Sequence, residues 1–189
     1  MIELNNFTYK TNRILFEGAN FIAPSIGIIG IAGESGCGKT TFLKIISKQI
    51  HLDSMVNTAT SIFYGNQDAL LKKDLTIAQQ FELIESVYNR EHDQNTIDEL
   101  FKNLNINANL SQKYDSCSLG EKKRIMIALS VYSNSPCIIL DEPLSSVDYE
   151  DKHSIMKLLK EHSHDRVIIL TIHDEEFDEF PMRKAKIKT

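Results

Sequence analysis

The segment Gly33-Glu34-Ser35-Gly36-Cys37-Gly38-Lys39-Thr40 has the spacing G-x-x-x-x-G-K-[ST], and each fixed position has a chemical task. The glycines let the backbone fold tightly, so that its N–H groups turn inward toward phosphate oxygens. Lys39 supplies a cation for the β- and γ-phosphates, and Thr40 supplies a hydroxyl ligand for magnesium. Glu34, Ser35, Gly36, Cys37 and Thr41 belong to the same cradle. The implied ligand is a nucleoside triphosphate with magnesium, ATP foremost. A second acidic feature follows the apolar run Cys137-Ile138-Ile139-Leu140, which ends in Asp141-Glu142. A carboxylate at the end of a buried strand lies beside the loop in a doubly wound sheet, where Asp141 would hold magnesium. Glu142 would polarise an attacking water as general base. At Ser118 and Gly120 a hydroxyl and backbone N–H groups open a helix, an arrangement that serves either as an ordinary N-cap or as an anion site.

These groups need elements to place them. Residues 26–32 form a continuous apolar run ending in the glycine loop, as a central buried strand does. Residues 39–50 carry Phe42, Leu43, Ile45 and Ile46 at helical spacing, so the loop is expected between a strand and a helix. Residues 2–9 and 14–22 read as further strands, as do 61–64 and 137–140, with 166–171 the last. Between residues 75 and 110 the period becomes helical, with Ile77, Phe81, Ile84, Val87 and Tyr88 followed by Ile97, Leu100, Phe101 and Leu104. Helices are also expected from Gly120 to about Tyr132 and over residues 149–162. Strands alternating with helices imply an α/β class, a mostly parallel sheet joined by crossovers, with a helical lobe inserted at about 75–118 and an N-terminal β portion.

With 189 residues, 42% hydrophobic and 25% charged, the chain suits one globular unit. Its net charge of −5 argues against nucleic acid as the main partner. No stretch approaches the ~20 apolar residues of a membrane span, and the N-terminus has no secretory-signal pattern. The three cysteines, Cys37, Cys117 and Cys137, lack metal-ligand spacing and fit reduced thiols in a cytoplasmic protein.

Taken in order, these motifs resemble the ATP-binding cassette (ABC) ATPases over nearly the whole chain. The resemblance implies a P-loop NTPase core and several further roles. Gln67, in Tyr64-Gly65-Asn66-Gln67-Asp68, looks like the Q-loop glutamine that contacts magnesium and the reacting water, and the groove near Gln67, Asp68 and Leu71 would accept a membrane partner. Cys117-Ser118-Leu119-Gly120-Glu121 resembles a degraded Leu-Ser-Gly-Gly-Gln signature, continued by Lys122-Lys123-Arg124. Here Leu119 replaces a glycine, and Glu121 adds negative charge near the γ-phosphate. Ser145-Ser146-Val147-Asp148 looks like the D-loop at the dimer interface. His173 matches the switch histidine, whose neutral imidazole would hydrogen-bond the γ-phosphate and hold Glu142 and water in place. Tyr9 sits where the family stacks an aromatic ring on adenine, with Phe7 and Phe16 nearby as core residues.

The resemblance implies a half-unit that pairs with a second copy or a paralogue. ATP then lies between the phosphate loop of one cassette and Ser118, Leu119, Gly120 and Glu121 of the other. It also implies a separate integral membrane permease, a cytoplasmic location at the inner face of the membrane, and export, with a peptide or an antimicrobial as the expected cargo. A soluble assembly ATPase is the alternative. A P-loop kinase fits less well, because no second substrate site is visible. The tail after His173 is short, so the family's final strands are expected to be missing or reduced.

Overall fold

The computed structural model describes residues 2–52, 55–57, 59, 61–66, 72–173, 180 and 182–186. Strand β1 (Ile2–Lys10) and strand β2 (Ile14–Ala23) pair antiparallel, and β4 (Met55–Asn57) adds to the free edge of β1. A separate sheet takes the order β5-β6-β7-β3-β8, from β3 (Gly27–Ala32), β5 (Phe63–Gly65), β6 (Cys137–Leu140), β7 (Val167–Thr171) and β8 (Arg183–Lys186). All of its pairings are parallel. The chain has the α/β fold of a P-loop NTPase: the alternation of apolar runs and helical periods predicts the parallel α/β sheet, and the P-loop core is what the family resemblance implies.

The parallel sheet explains why its strands read as unbroken apolar runs: both faces are covered. Side chains alternate across a strand, and the in-register rows sort accordingly. Ile28, Ile138 and Ile168 face one cluster with helix α4, whereas Ile29, Ile139 and Ile169 face another with helix α1 and the β1–β2 hairpin; here α1 is Lys39–Ile46 and α4 is Leu119–Tyr132. In the second cluster Phe42 of α1 meets Phe16 and Phe21 with ring centroids 5.9 and 4.9 Å apart. Phe7 stacks on Phe16 at 5.3 Å. This aromatic packing clamps the hairpin onto the helix that follows the glycine loop.

The helices between the sheet strands are α2 (Ile77–Tyr88) and α3 (Gln94–Asn103), with α5 (Tyr149–Glu161) after β6. Thr76 and Gln79 form a capping box at the start of α2, and Asp93 caps α3. Several elements differ from the sequence expectation. Val87 is 62% exposed and falls outside the buried face of α2, which Ile77, Gln80, Phe81 and Ile84 form instead. Helix α1 ends at Ile46 rather than residue 50, because Lys48 turns left-handed and the N–H groups of Gln49 and Ile50 fold back to Lys44. Strand β7 is not the last: β8 pairs in parallel with β3. Its sequence, Arg183-Lys184-Ala185-Lys186, lacks an apolar run, as suits a strand at the edge of the sheet that the described residues form.

Candidate phosphate and magnesium site

Strands β3, β7 and β6 are neighbours and parallel, so their carboxyl ends share one edge of the sheet. The glycine loop leaves β3 there, Asp141 and Glu142 leave β6, and β7 lies between them and ends at Thr171. The acid is therefore one strand further from the loop than simple adjacency suggests, yet contact is made. Thr40 Oγ1 donates to Asp141 Oδ2 at 2.7 Å across 101 residues of sequence.

The loop is built from left-handed backbone at Gly36 (φ 76°) and Gly38 (φ 102°). At Gly38 a side chain would also meet Phe16 Cζ at 3.2 Å, so the hairpin excludes anything larger there. Lys39 is buried and its Nζ donates to the carbonyls of Gly33 and Glu34, at 2.7 and 3.1 Å. That places a cation under the loop, ready to exchange carbonyl partners for phosphate oxygens. Arg13, in the β1–β2 turn, donates to the Gly36 carbonyl. A cavity of about 240 Å³ opens above, lined by Leu15, Ser35, Gly36, Gly38, Lys39, Thr40, Thr41 and Glu142. Gly33 and Glu34 sit below it through their carbonyls, and Cys37 is half-buried beside it. A larger aromatic-lined cavity of about 430 Å³ lies between the hairpin and α1; chemistry rather than volume singles out the smaller one.

The oxygens of Thr40 and Asp141 suit magnesium. Neighbouring ligands of an octahedral ion at about 2.1 Å stand about 3 Å apart, close to the 2.7 Å between Thr40 Oγ1 and Asp141 Oδ2. Both are hard oxygen donors, and one is a carboxylate. Asp141 is held further by its own N–H, which donates to the Gly65 carbonyl at 2.9 Å.

Thr171, which the sequence reading passed over, ties the two acids together. Its buried hydroxyl donates to Asp141 Oδ1 at 2.9 Å and accepts from the Glu142 N–H at 2.6 Å. Glu142 itself adopts φ 50°, a left-handed turn that throws its side chain toward the phosphate cavity. Lys123 was read only as part of a basic run, yet it is buried and donates to the Glu142 carbonyl at 3.0 Å. Neither residue carries a motif: a threonine ending an apolar strand and a lysine in a helix look ordinary until the fold places them. Tyr64, on β5, is pushed up to about 12, chiefly by burial and then by the Asp141 charge, so its hydroxyl stays neutral beside the acids.

Among the described residues, Tyr9, His173, Ser118 and Asp148 do not line this cavity. Tyr9 is half-buried opposite Phe16 on β1 and packs on the aromatic cluster. His173 is exposed two residues past the end of β7, on the same sheet edge. Gln67 lies outside the described residues, as do Asp68 and Leu71. Ser118 caps α4 in a reciprocal box: its hydroxyl accepts from the Glu121 N–H at 3.2 Å, and Glu121 Oε2 accepts from the Ser118 N–H at 2.9 Å. These bonds hold the Glu121 carboxyl below the usual range, the backbone bond from Ser118 first. Among the described residues no acceptor takes the N–H groups of Leu119 and Gly120. Leu119 is 49% exposed. Asp148 is exposed at the start of α5 and makes no capping bond there.

Comparison with known proteins agrees with this geometry. Residues 16–145 match the family model described as ABC transporter. The cytochrome c biogenesis ATP-binding export protein CcmA of Vibrio cholerae is 27% identical, over 99% of this chain and 98% of that protein. The molybdate import ATP-binding protein MolC of Haemophilus influenzae is 25% identical, over 91% of this chain and 72% of its own. Among solved structures, a dimeric ATP-binding cassette in a post-hydrolysis state bound to ADP and Pi superposes with a TM-score of 0.81 at 23% identity. It covers 100% of this chain and 94% of its own.

Proposed function

The chain belongs to the ABC transporter family, an ATPase that binds ATP with magnesium, and on that premise we propose that it works as one of two paired cassettes, opposite a separate membrane subunit. The observation that carries the site assignment is the bond between Thr40 and Asp141, which joins the loop that cradles phosphate to the strand end that carries the acids. In this reading the loop from Gly33 to Thr41 binds the triphosphate and Tyr9 stacks on the base. Lys39 neutralises the β- and γ-phosphates, while Thr40 and Asp141, with Gln67, hold magnesium. The metal supplies charge neutralisation at the phosphates. Glu142 accepts the proton of the attacking water, and His173 steadies that water and the γ-phosphate.

The phosphate cavity is small and open, and Ser118, Leu119 and Gly120, the last two with N–H groups that no acceptor takes among the described residues, do not line it. Both features support a composite site, in which Ser118, Leu119, Gly120 and Glu121 of a second copy close over the nucleotide, with Asp148 at the same interface. No helix among the described residues is long and apolar enough to cross a membrane; in keeping with the family, this reading gives movement of the cargo to a separate membrane subunit, with this chain attached at the inner face. We favour export, in keeping with the V. cholerae relative. A peptide or antimicrobial cargo rests on the family resemblance alone. The export and import relatives share this cassette, so the membrane subunit is what selects the cargo.

Glu142→Gln tests the assignment, since it keeps shape and removes the base. ATP binding should persist, steady-state phosphate release should fall by on the order of 100-fold or more, and an ATP-dependent dimer should accumulate on size-exclusion chromatography. Undiminished turnover would remove Glu142 from its role.

A further inference from the structure

The basic run after the signature segment contains one residue that a solvated face does not explain. Lys123 is 1% exposed, in a helix whose neighbours Lys122 and Arg124 point elsewhere. Lys122 reaches Asp115, and Arg124 pairs with Asp151 of α5. A buried ammonium is costly unless oxygens surround it. The turn after β6 supplies such oxygens: the Lys123 Nζ donates to the carbonyl of Glu142 at 3.0 Å, and to both the carbonyl and the hydroxyl of Ser145. That turn is conformationally demanding, with left-handed backbone at Glu142 (φ 50°) and again at Ser146 (φ 58°). A non-glycine residue is disfavoured in that region and persists there only where the surroundings hold it. Lys123 closes the turn from the side opposite to Thr171, which accepts from the Glu142 N–H. The backbone of the general base is thus gripped at both of its polar atoms.

The same lysine stands one and a half turns into α4, whose first residues carry the unclaimed N–H groups of Leu119 and Gly120. We propose that Lys123 is a positioning residue that couples the N-terminus of α4 to Glu142, so that engagement of α4 by the nucleotide of a second cassette sets the general base of this one. The inference rests on the composite-site reading above. Displacement of α4 along its axis would carry the Nζ with it and move the Glu142 and Ser145 carbonyls. The loop that faces the partner and the base that acts on the chain's own nucleotide are thereby one mechanical unit.

Lys123→Met keeps the length and apolar stem of the side chain and removes the bonds donated to Glu142 and Ser145. In the purified chain, ATP turnover and nucleotide affinity are measured together across ATP concentration, beside thermal unfolding. We expect kcat to fall by about 10- to 100-fold, the range for a misplaced catalytic group, with KM within about twofold. The Hill coefficient for ATP should drop toward one. Should Lys123→Met fail to fold, Ser145→Ala removes only one acceptor and should lower kcat in the same direction by a smaller factor. Unchanged kcat and unchanged cooperativity in a folded variant would overturn the proposal. So would a loss confined to thermal stability, or a parallel rise in KM. Absence of turnover and of ATP-dependent pairing in the unaltered chain would instead overturn the composite-site reading, and the coupling with it.

Discussion

Replacing Thr171 by valine isolates the hydroxyl that joins the two acids. The exchange is nearly isosteric at a site 1% exposed, so it opens no cavity, and β7 is a strand in which valine is at home. Two bonds go: the one donated to Asp141 Oδ1 at 2.9 Å and the one accepted from the Glu142 N–H at 2.6 Å. Losing a hydrogen bond to a charged group costs about 1.5–3 kcal/mol, and an unsatisfied buried N–H about 1–3 kcal/mol. Asp141 is half-buried and retains Thr40 and the Gly65 carbonyl as anchors, so the lower half of the combined range applies, about 2.5–4 kcal/mol. For a chain of this size a loss of 1 kcal/mol lowers Tm by about 2–4 °C, giving an expected fall of roughly 5–16 °C in the nucleotide-free protein. The larger effect should be on rate. Asp141 and Glu142 lose a shared support, and kcat at saturating ATP and magnesium should drop by on the order of 10- to 100-fold. Thr171→Ser keeps the hydroxyl and gives up one methyl, so it should restore most of the rate while remaining slightly less stable. Differential scanning fluorimetry and phosphate release measured on the three proteins decide the matter. Turnover of Thr171→Val within about twofold of the parent, or equal impairment of Thr171→Ser, would refute the linkage.

Three further outcomes follow from the packing and the titrating groups. In Gly65→Ala the new methyl would lie 2.9 Å from Leu140 Cδ2 and 3.1 Å from Phe63 Cε1. Overpacking of that kind costs about 1–3 kcal/mol; thermal unfolding should show a lowered Tm, and an unshifted melt would mean the strand relaxes freely. Of the three thiols only Cys37 is half-buried, while burial raises Cys117 and pushes Cys137 up to about 12. A maleimide should therefore label Cys37 first by peptide mapping, with protection by ATP and magnesium; earlier labelling of Cys137 would contradict the burial order. His92 is raised by its hydrogen bond to Glu85. A raised histidine stabilises the fold fully below its unfolded value of about 6.5, and the contribution disappears as pH climbs through the higher folded value. The Tm advantage of the parent over His92→Gln should thus shrink as pH rises above about 6.5, and a constant difference would remove the ion pair from the stability balance.

What the sequence made legible is what short-range chemistry dictates. The glycine loop, the buried strands and the Ser118 cap each follow from local spacing, because backbone conformation and strand burial leave marks on neighbouring residues. The acids at 141 and 142 were readable for the same reason: an apolar strand must stop somewhere, and a pair of carboxylates at its end is conspicuous. Thr171, Lys123 and β8 were not readable in this way, since each owes its role to a partner far along the chain. Thr171 meets Asp141 across 30 residues, Lys123 meets Ser145 across 22, and β8 becomes a strand because β3 offers it an edge. Hydrophobic period cannot reveal such contacts, because the residues are chosen for a hydrogen bond or an edge rather than for burial alone.

That division has a consequence for the site itself. On the proposed assignment, the groups that would touch phosphate are encoded locally, whereas Lys123 and Thr171, which hold the backbone of Glu142, come from α4 and β7, two elements brought together only by the completed sheet and its covering helices. Binding and turnover therefore depend on different parts of the fold. A lesion that loosens α4 or the end of β7 should leave the cradle from Gly33 to Thr40 intact, because its conformation is fixed by Gly36, Gly38 and the aromatic clamp of Phe16 on Phe42. Such a protein would bind ATP and hydrolyse it slowly. Under the proposed coupling, assembly of the hydrolytic centre, rather than the presence of a nucleotide cradle, would be the step at which a second copy exerts its control.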